Sequence, residues 1–520
     1  MTSSPSEPHV AGLPALEQRL AYELACLQLP AARWTPAREH EGQPVADVAI
    51  IGAGMAGLAL AAALVHRGMA VVVYDEAPTG LEGPWATTAR METLRSPKQL
   101  AGPALGVPSL TFRAWFEAQF GSAAWEALDK IPRLQWMDYL RWYRRVLALP
   151  VHNEHRVTDV WPQGEDGRAE GLVALRIERI EHPGAAFTAC ARRLVLATGR
   201  AGLGGNWVPA WVHGLPRMRW AHSADEFDYA RLRGQRVGVV GAGASAMDSA
   251  ATALDEGAAR VHLLVRRHDI PRINKGKGAG SPGFVHGHAR LPDEWKWRIR
   301  HYIHTQQVPP PRNSTLRVSS HANAFFHLGC AVVGAEERGG ALQVRTSAGS
   351  VELDFLIFAT GFAIDWAQRP MLRHIAPHVR LWRDAYVPEP GQEDEELAAS
   401  PDLGADFEFQ PRAAAGAGAA GGAKAAEGAA LAAGASCPGL ERIHCFCYPA
   451  ALSLGVITGD IPAISEGAMQ LASGLAGLLY AEDVARHFAR MQAFAEPEVF
   501  GDEWVASPLP APLPENRHEC

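Results

Sequence analysis

The amino-acid sequence predicts an α/β protein built on two parallel sheets, one for each copy of a repeated pattern. An apolar run, a glycine-rich turn and a helix of small apolar residues follow one another from residue 46, and again from residue 236. Each copy continues into a second apolar run, which is the strand, helix, strand order of a buried parallel sheet. Two more apolar runs end in Ala-Thr-Gly, at 197–199 and 359–361. These repeats predict two Rossmann-like dinucleotide-binding domains.

Length and composition agree with a globular protein of two or three domains. The chain has 520 residues, of which 48% are hydrophobic and 20% are charged. Its net charge of −7 offers no electrostatic footprint for nucleic acid or for an anionic membrane surface. We therefore expect no nucleic-acid partner.

The N-terminus and the cysteines point to a cytoplasmic protein. The first residues lack the basic and apolar regions of a secretory signal, and no apolar stretch is long enough to span a bilayer. The 7 cysteines are scattered without a C-x-x-C pair, as expected of reduced thiols. We predict a cytoplasmic location and no membrane span, and leave a homo-oligomer open.

The simplest layout inserts the second domain into the first. Residues 413–436 are almost entirely alanine and glycine, which predicts a flexible surface insertion. The first domain is predicted at 46–205 and 350–500, and the second at 206–349. An N-terminal extension at 1–45, with a helix from Ala15 to Gln28, precedes them, and a tail at 501–520 follows.

The first glycine turn carries the fingerprint of a dinucleotide site. Gly52 permits a tight turn, Gly54 lets the backbone approach a pyrophosphate, and Gly57 lets the helix pack closely on the strand. The helix N-terminus then faces the phosphate charge. Asp75 ends the next strand, where its carboxylate can accept hydrogen bonds from a ribose 2′-hydroxyl. The predicted ligand is a dinucleotide with a free ribose, FAD or NAD.

The second glycine turn differs in the charge at the end of its second strand. Gly241 and Gly243 occupy the first two glycine positions, and Ser245 lies in the same predicted cofactor-binding turn. Arg266 and Arg267 replace the carboxylate and can pair with the 2′-phosphate of NADPH. The alternative is that both arginines are solvated surface charges. The carboxylate at the first turn and the two arginines at the second therefore predict FAD at the first turn and NADPH at the second.

Three further segments are predicted to contact a cofactor. Thr198 and Gly199 end one buried strand, and Thr360 and Gly361 end another, at the carboxyl edge where ligands of open α/β sheets bind. Asp460 precedes a helical run near the C-terminus. Its carboxylate either contacts the flavin or only caps the helix.

The chain resembles the class B flavin monooxygenases, which include flavin-containing, Baeyer–Villiger and N-hydroxylating enzymes. The resemblance rests on the paired fingerprints, the Ala-Thr-Gly turns, Gly83-Pro84-Trp85, the segment Trp136 to Tyr143 and His222-Ser223, within residues 46–365. It implies that NADPH reduces FAD, that O₂ adds to the reduced flavin, and that a flavin peroxide transfers one oxygen atom to a small organic substrate. It also implies that Trp85 lies near the flavin.

Departures from that family leave the substrate open. Met218 stands where the Baeyer–Villiger signature has a glycine, and Arg95 stands where the flavin-containing subgroup has an asparagine. N-hydroxylation, or hydroxylation of a heterocycle such as urate, is therefore the expected chemistry. Arg95 is a candidate to stabilise the peroxide or the substrate, unless it only pairs with a carboxylate. His222 is a candidate to orient nicotinamide or substrate, unless it only bonds the backbone.

Two alternatives belong to other functional classes. A thioredoxin-reductase-like enzyme shares the two domains, but it needs a redox cysteine pair beside the flavin, and no such spacing occurs. A non-catalytic flavoprotein that senses NADPH would oxidise NADPH slowly with every substrate. No metal site is expected, because the histidines near residue 300 lack acids or cysteines at ligand spacing.

Overall fold

The computed structural model describes residues 12–162, 171–182, 184–413 and 437–511. Two parallel sheets, each flanked by helices, form the two halves of the molecule. The predicted α/β fold class with two Rossmann-like units is confirmed. Each glycine turn follows the central strand of its sheet, because the buried apolar strands lead directly into the turns.

The first sheet has eight strands. Its parallel part surrounds the strand Gln43–Ile51, which pairs with Val71–Tyr74 on one side and with Ala186–Leu196 on the other. Ile443–Cys445 adds to Ala186–Leu196 in parallel, so the chain returns to this sheet near its C-terminus. The remaining strands are Arg38–His40, Val151–His152, His155–Trp161 and Val173–Arg179.

The second sheet has five parallel strands. Its strands, in spatial order, are Ala324–His327, Arg260–Leu264, Arg236–Val240, Phe355–Phe358 and Trp220–His222. The strand Phe355–Phe358 pairs with Arg236–Val240, although the sequence placed it in the first domain. The second unit therefore extends past residue 349, and the boundary moves beyond Phe358. An apolar strand alone does not reveal which sheet it joins.

Two smaller sheets complete the second unit and the crossing between the units. Val332–Arg338, Ala341–Thr346 and Gly349–Leu353 form an antiparallel sheet. Gly204–Asn206 and Phe362–Ile364 pair as an antiparallel ribbon where the chain passes from one unit to the other and back.

The helices cover both sheets. Met55–His66 and Ala244–Asp255 follow the two glycine turns, and Ile464–Glu482 packs against Met55–His66. Gly12–Cys26 is the N-terminal helix, close to its predicted range, and it buries Leu16 and Leu20. The other helices are Phe112–Ala127, Arg133–Val146, Pro282–Gly287, Asp293–Gln306, Arg312–Ser319, Trp382–Ala385, Glu395–Ala398, Ala451–Leu454 and Val484–Ala493.

Some predictions fall outside the described part of the chain. The Ala/Gly-rich insertion lies there except for residue 413, and so does the tail beyond residue 511. In the described residues, no helix is long and apolar enough to cross a membrane.

A buried ion-pair network ties the N-terminal strand and the last long helix to the first sheet. Arg192 is fully buried and lies 2.9 Å from Glu482 and 2.7 Å from Asp483. Asp483 also accepts a hydrogen bond of 2.7 Å from Arg38. Burial alone would raise the pKa of Asp483, but Arg38 and Arg192 outweigh it and hold the pKa below its usual value.

We expect Arg38→Ala to destabilise the protein by about 1.5 kcal/mol at neutral pH, because a charge-assisted hydrogen bond to a buried carboxylate is lost. Since the folded pKa of Asp483 is lowered, this contribution is complete above the usual pKa of an aspartate and disappears as pH falls through the folded value. Urea unfolding of both proteins across this range measures it. A difference that grows on acidification would contradict the assignment.

Candidate functional site

The first glycine turn is closed from two sides by backbone. Gly52 has a φ of +103°, and a β-carbon there would lie 2.6 Å from the carbonyl oxygen of Ala197. A β-carbon at Gly57 would overlap the carbonyl oxygen of Gly52. Glycine at both positions therefore lets strand, helix and the first Ala-Thr-Gly turn meet.

Asp75 is bonded to the glycine turn itself. Its carboxylate accepts hydrogen bonds from the backbone N–H of Ala53, at 2.6 Å, and of Ala77, at 2.8 Å. Burial raises the pKa of Asp75, although these two hydrogen bonds act in the opposite direction. Asp75 thus fixes the shape of the turn, and the ribose contact expected from the sequence stays a prediction.

The loop after Asp75 lies over the second glycine of the turn. A β-carbon at Gly83 would be 3.6 Å from the Cα atom of Gly54. Trp85, two residues on, packs edge-on against Trp136 with 6.4 Å between ring centroids. A cavity of about 330 Å³ adjoins this side of the turn and is lined in part by Ala53, Glu82 and Arg141. The proximity of Trp85 to a flavin stays a prediction.

The second glycine turn repeats this geometry with more open space. A β-carbon at Gly241, where φ is +130°, would lie 2.6 Å from the carbonyl oxygen of Ala359, while one at Gly243 would meet nothing within 4 Å. Ser245 is exposed on the first turn of the helix that follows. Ala246 occupies the third glycine position of this turn. Its β-carbon would lie 3.6 Å from a β-carbon at Gly241, which is an ordinary van der Waals distance, so alanine fits there.

Arg266 and Arg267 differ in how they are engaged. Arg267 donates a hydrogen bond of 2.7 Å to the carbonyl oxygen of Thr305. Arg266 is exposed and makes neither an ion pair nor a side-chain hydrogen bond with any described residue. Of the two guanidinium groups at the end of this strand, Arg266 is therefore the one available to an anion.

The two Ala-Thr-Gly turns present backbone to open space. Gly199 and Gly361 have φ values of +75° and +85°, and a β-carbon at either would meet nothing within 4 Å. The hydroxyl of Thr198 donates to the carbonyl oxygen of Gly202 at 3.1 Å, and that of Thr360 donates to the carbonyl oxygen of Trp207. The threonines shape the turns, and their contacts to cofactors stay predictions.

His222 lies beneath the crossing ribbon and not at an open surface. Its ring is 1% exposed, accepts a hydrogen bond from the backbone N–H of Ala224 at 3.1 Å, and packs 5.8 Å from the Phe362 ring. Burial lowers the pKa of His222, so the imidazole is neutral. The Nδ1 atom thus bonds the backbone, while the Nε2 atom is buried without a hydrogen-bond partner among the described residues. The role of His222 in orienting nicotinamide or substrate stays a prediction.

Arg95 lies in a cluster that the sequence did not bring together. We define the arginine cluster as Arg95, Arg200 and Arg300, whose charges all act on Asp460. Burial raises the pKa of Asp460, while the charges of Arg300, Arg200 and Arg95 lower it. Arg95, Arg200 and Asp460 are exposed to solvent, so the cluster is accessible and does not lie in the core.

Tyr448 lies between two members of the arginine cluster. The guanidinium carbon of Arg200 is 4.1 Å from the centroid of the Tyr448 ring, and that of Arg300 is 5.8 Å from it. The Tyr448 backbone N–H donates to the carbonyl oxygen of Gly199 at 3.3 Å, which places the ring beside the first Ala-Thr-Gly turn. In the sequence, only Arg200 could have been linked to this site, because it directly follows the first Ala-Thr-Gly turn.

Asp460 does not cap the helix that follows it. The short helix Ile461–Ala463 begins without a side-chain cap, so the carboxylate is left facing the arginine cluster.

Among the described residues, no group of three or more His, Cys, Asp or Glu side chains is arranged to hold a metal ion.

The two glycine turns fit dinucleotides by shape and by chemistry. Each offers free backbone N–H groups at a helix N-terminus, and neither the position of Gly54 nor that of Gly243 is filled by a side chain. The donors needed for a pyrophosphate are thus present at both turns.

Comparisons with known proteins agree with this geometry. The family model described as pyridine nucleotide-disulphide oxidoreductase matches residues 46–276. The chain is 40% identical over 477 residues to the FAD-dependent urate hydroxylase of Xanthomonas campestris, covering 91% of this chain and 94% of that protein.

Two solved structures share the fold at low identity. The FAD-bound cadaverine monooxygenase of Erwinia amylovora matches with a TM-score of 0.61 at 15% identity, over 83% of this chain and 95% of that one. An ornithine N-hydroxylase of Kutzneria, solved with reduced FAD, NADP⁺ and L-ornithine, matches with a TM-score of 0.60 at 18% identity, over 83% and 99%. The identity and coverage of the urate hydroxylase relative show more than a shared fold: the chain belongs to the FAD-dependent urate hydroxylase family.

Proposed function

We propose that this enzyme uses NADPH and O₂ to hydroxylate urate, with FAD at the first glycine turn and NADPH at the second. The observation that carries the proposal is the 40% identity to a urate hydroxylase along 91% of the chain. The enzyme class predicted from the sequence, an FAD-dependent monooxygenase acting on a small molecule, is confirmed by family membership. The predicted FAD agrees with the name of that relative, and NADPH is part of the proposal. The identity of the substrate is the step that we add.

The residues of both turns would hold the cofactors through backbone. The N-terminus of helix Met55–His66 would hold the pyrophosphate of FAD, and that of Ala244–Asp255 would hold the pyrophosphate of NADPH. When bound, the flavin supplies the electron transfer and the oxygen activation. The protein itself binds, orients and shields the reactants.

The charge of the arginine cluster favours an anionic substrate. Asp460 and Glu396 balance part of the charge of these arginines, but none of the guanidinium groups forms an ion pair with a described carboxylate, so their donors suit an anion better than a cationic amine of the kind used by the cadaverine and ornithine enzymes. Urate is a planar anion with several carbonyl oxygens, which suits guanidinium donors. The overall reaction consumes one urate, one O₂, one NADPH and one proton, and yields hydroxylated urate, water and NADP⁺.

The test is a substrate comparison with the purified, FAD-loaded enzyme. We expect urate to accelerate NADPH oxidation while hydrogen peroxide release falls, because a coupled reaction delivers the second oxygen atom to water. Ornithine and cadaverine should not accelerate NADPH oxidation. Equal rates with and without urate, or acceleration by the amines alone, would contradict the assignment of the substrate.

The cytoplasmic location and the oligomeric state stay predictions. The first rests on the scattered cysteines of the sequence, and the second was left open there. Gel filtration of the holoenzyme measures the oligomeric state directly.

A further inference from the structure

We propose that Arg200 and Arg300, both held against the Tyr448 ring, form a two-guanidinium clamp for a planar anionic heterocycle. This inference rests on the proposed function and names the residues that select its substrate.

The first argument is the lack of close ion pairs at the arginines of the cluster. In the described part of the chain, none of Arg95, Arg200 and Arg300 has a carboxylate oxygen within 4.0 Å. Other arginines are paired at short range: Arg192 lies 2.7 Å from Asp483, and Arg236 lies 2.7 Å from Asp354. Arg200 and Arg300 therefore keep guanidinium donors that an anion can engage.

The second argument is a buried donor without an acceptor. The Nε atom of Arg300 is buried and has no hydrogen-bond partner among the described residues. Leaving such a donor unsatisfied is costly, and guanidinium donors are commonly satisfied by the oxygens of a ligand. Arg95 differs, because its guanidinium donates 3.0 Å to the carbonyl oxygen of Pro309.

The third argument is that rigid elements hold both arginines. Arg200 follows the first Ala-Thr-Gly turn, to which Tyr448 is hydrogen-bonded. Arg300 lies on helix Asp293–Gln306, which is anchored by Trp297, a residue that is 1% exposed and donates 2.9 Å to the carbonyl oxygen of Gln392. The two sides of the clamp therefore come from the first unit and from a helix of the second unit.

The chemistry of urate matches this arrangement. A guanidinium group offers parallel N–H donors in one plane, which pair with neighbouring oxygens of a planar anion. The aromatic face of Tyr448 limits how far either guanidinium can turn away. A neutral purine would lose the charge-assisted part of this binding, so the clamp should discriminate against methylated, uncharged analogues.

The experiment uses the FAD-loaded enzyme and the variants Arg200→Gln and Arg300→Gln. We expect each to raise the KM for urate and the calorimetric Kd for urate by about tenfold or more, since one charged hydrogen-bond donor is lost. The flavin content and the KM for NADPH should not change. Arg200→Lys, which keeps the charge, should recover part of the affinity.

The matched control is Arg298→Gln, on the same helix as Arg300. Arg298 pairs at the surface with Glu294, at 2.8 Å, so its loss should leave urate binding unchanged. Unchanged affinity for urate in both clamp variants, in an enzyme that does hydroxylate urate, would overturn the clamp but not the function. Loss of FAD from the variants would show that the arginines bind the flavin instead, and would overturn the clamp too. A wild-type enzyme that ignores urate would refute the proposed function itself.

Discussion

Replacing Gly57 by alanine should give a protein that no longer retains FAD. A β-carbon at this position would overlap the carbonyl oxygen of Gly52, which is backbone and cannot rotate aside. The helix Met55–His66 would have to move away from the strand, and with it the N–H groups proposed to bind the pyrophosphate of FAD. The ratio of bound flavin absorbance to protein, after gel filtration, measures the loss.

Gly477→Ala is the matched control for the same chemical change. Gly477 lies in the helix Ile464–Glu482, and a β-carbon there would meet nothing within 4 Å. The substitution should leave the flavin content unchanged and raise stability by about 1 kcal/mol, because alanine favours the helix. If Gly57→Ala bound FAD as well as Gly477→Ala does, the turn would not be the flavin site.

The sequence predicted the parts of the fold that depend on local pattern. Strand Arg236–Val240 begins at the residue where the second copy of the repeated pattern was predicted to start, and a helix follows each glycine turn as expected. These segments combine an apolar period with a glycine signal, so local chemistry alone determines them. Strand Phe355–Phe358 was also expected, but its sheet was not, because pairing is a long-range property.

The site was less accessible to sequence reasoning for the same reason. Arg200, Arg300 and Tyr448 come from three distant segments, and no spacing rule connects them. His222 stands out in the sequence beside a serine, yet only the fold shows that its ring is buried. Asp75 was assigned to a ribose from its position, and the structure adds that it holds the turn through Ala53. A motif identifies the kind of site, while charge balance and burial depend on tertiary packing.

The double variant Arg266→Ala with Arg267→Ala should lose most of its preference for NADPH over NADH. Each charge-assisted hydrogen bond to the 2′-phosphate contributes about 1.5–3 kcal/mol, which is roughly 10- to 150-fold in kcat/KM. Because NADH lacks that phosphate, its kcat/KM should not change. Initial rates of urate-dependent oxidation of both cofactors give the ratio.

The structure further predicts that the two arginines contribute unequally. Arg266 is exposed and has no partner among the described residues, whereas Arg267 already donates to the carbonyl oxygen of Thr305. Arg266→Ala alone should therefore cause most of the loss, and Arg267→Ala less. Arg272→Ala is the control, since Arg272 pairs with Asp269 at 3.1 Å on the same exposed loop. An unchanged cofactor preference in the double variant would mean that the end of this strand does not bind the 2′-phosphate. The difference in charge between Asp75 and the two arginines would then not assign FAD and NADPH to their turns.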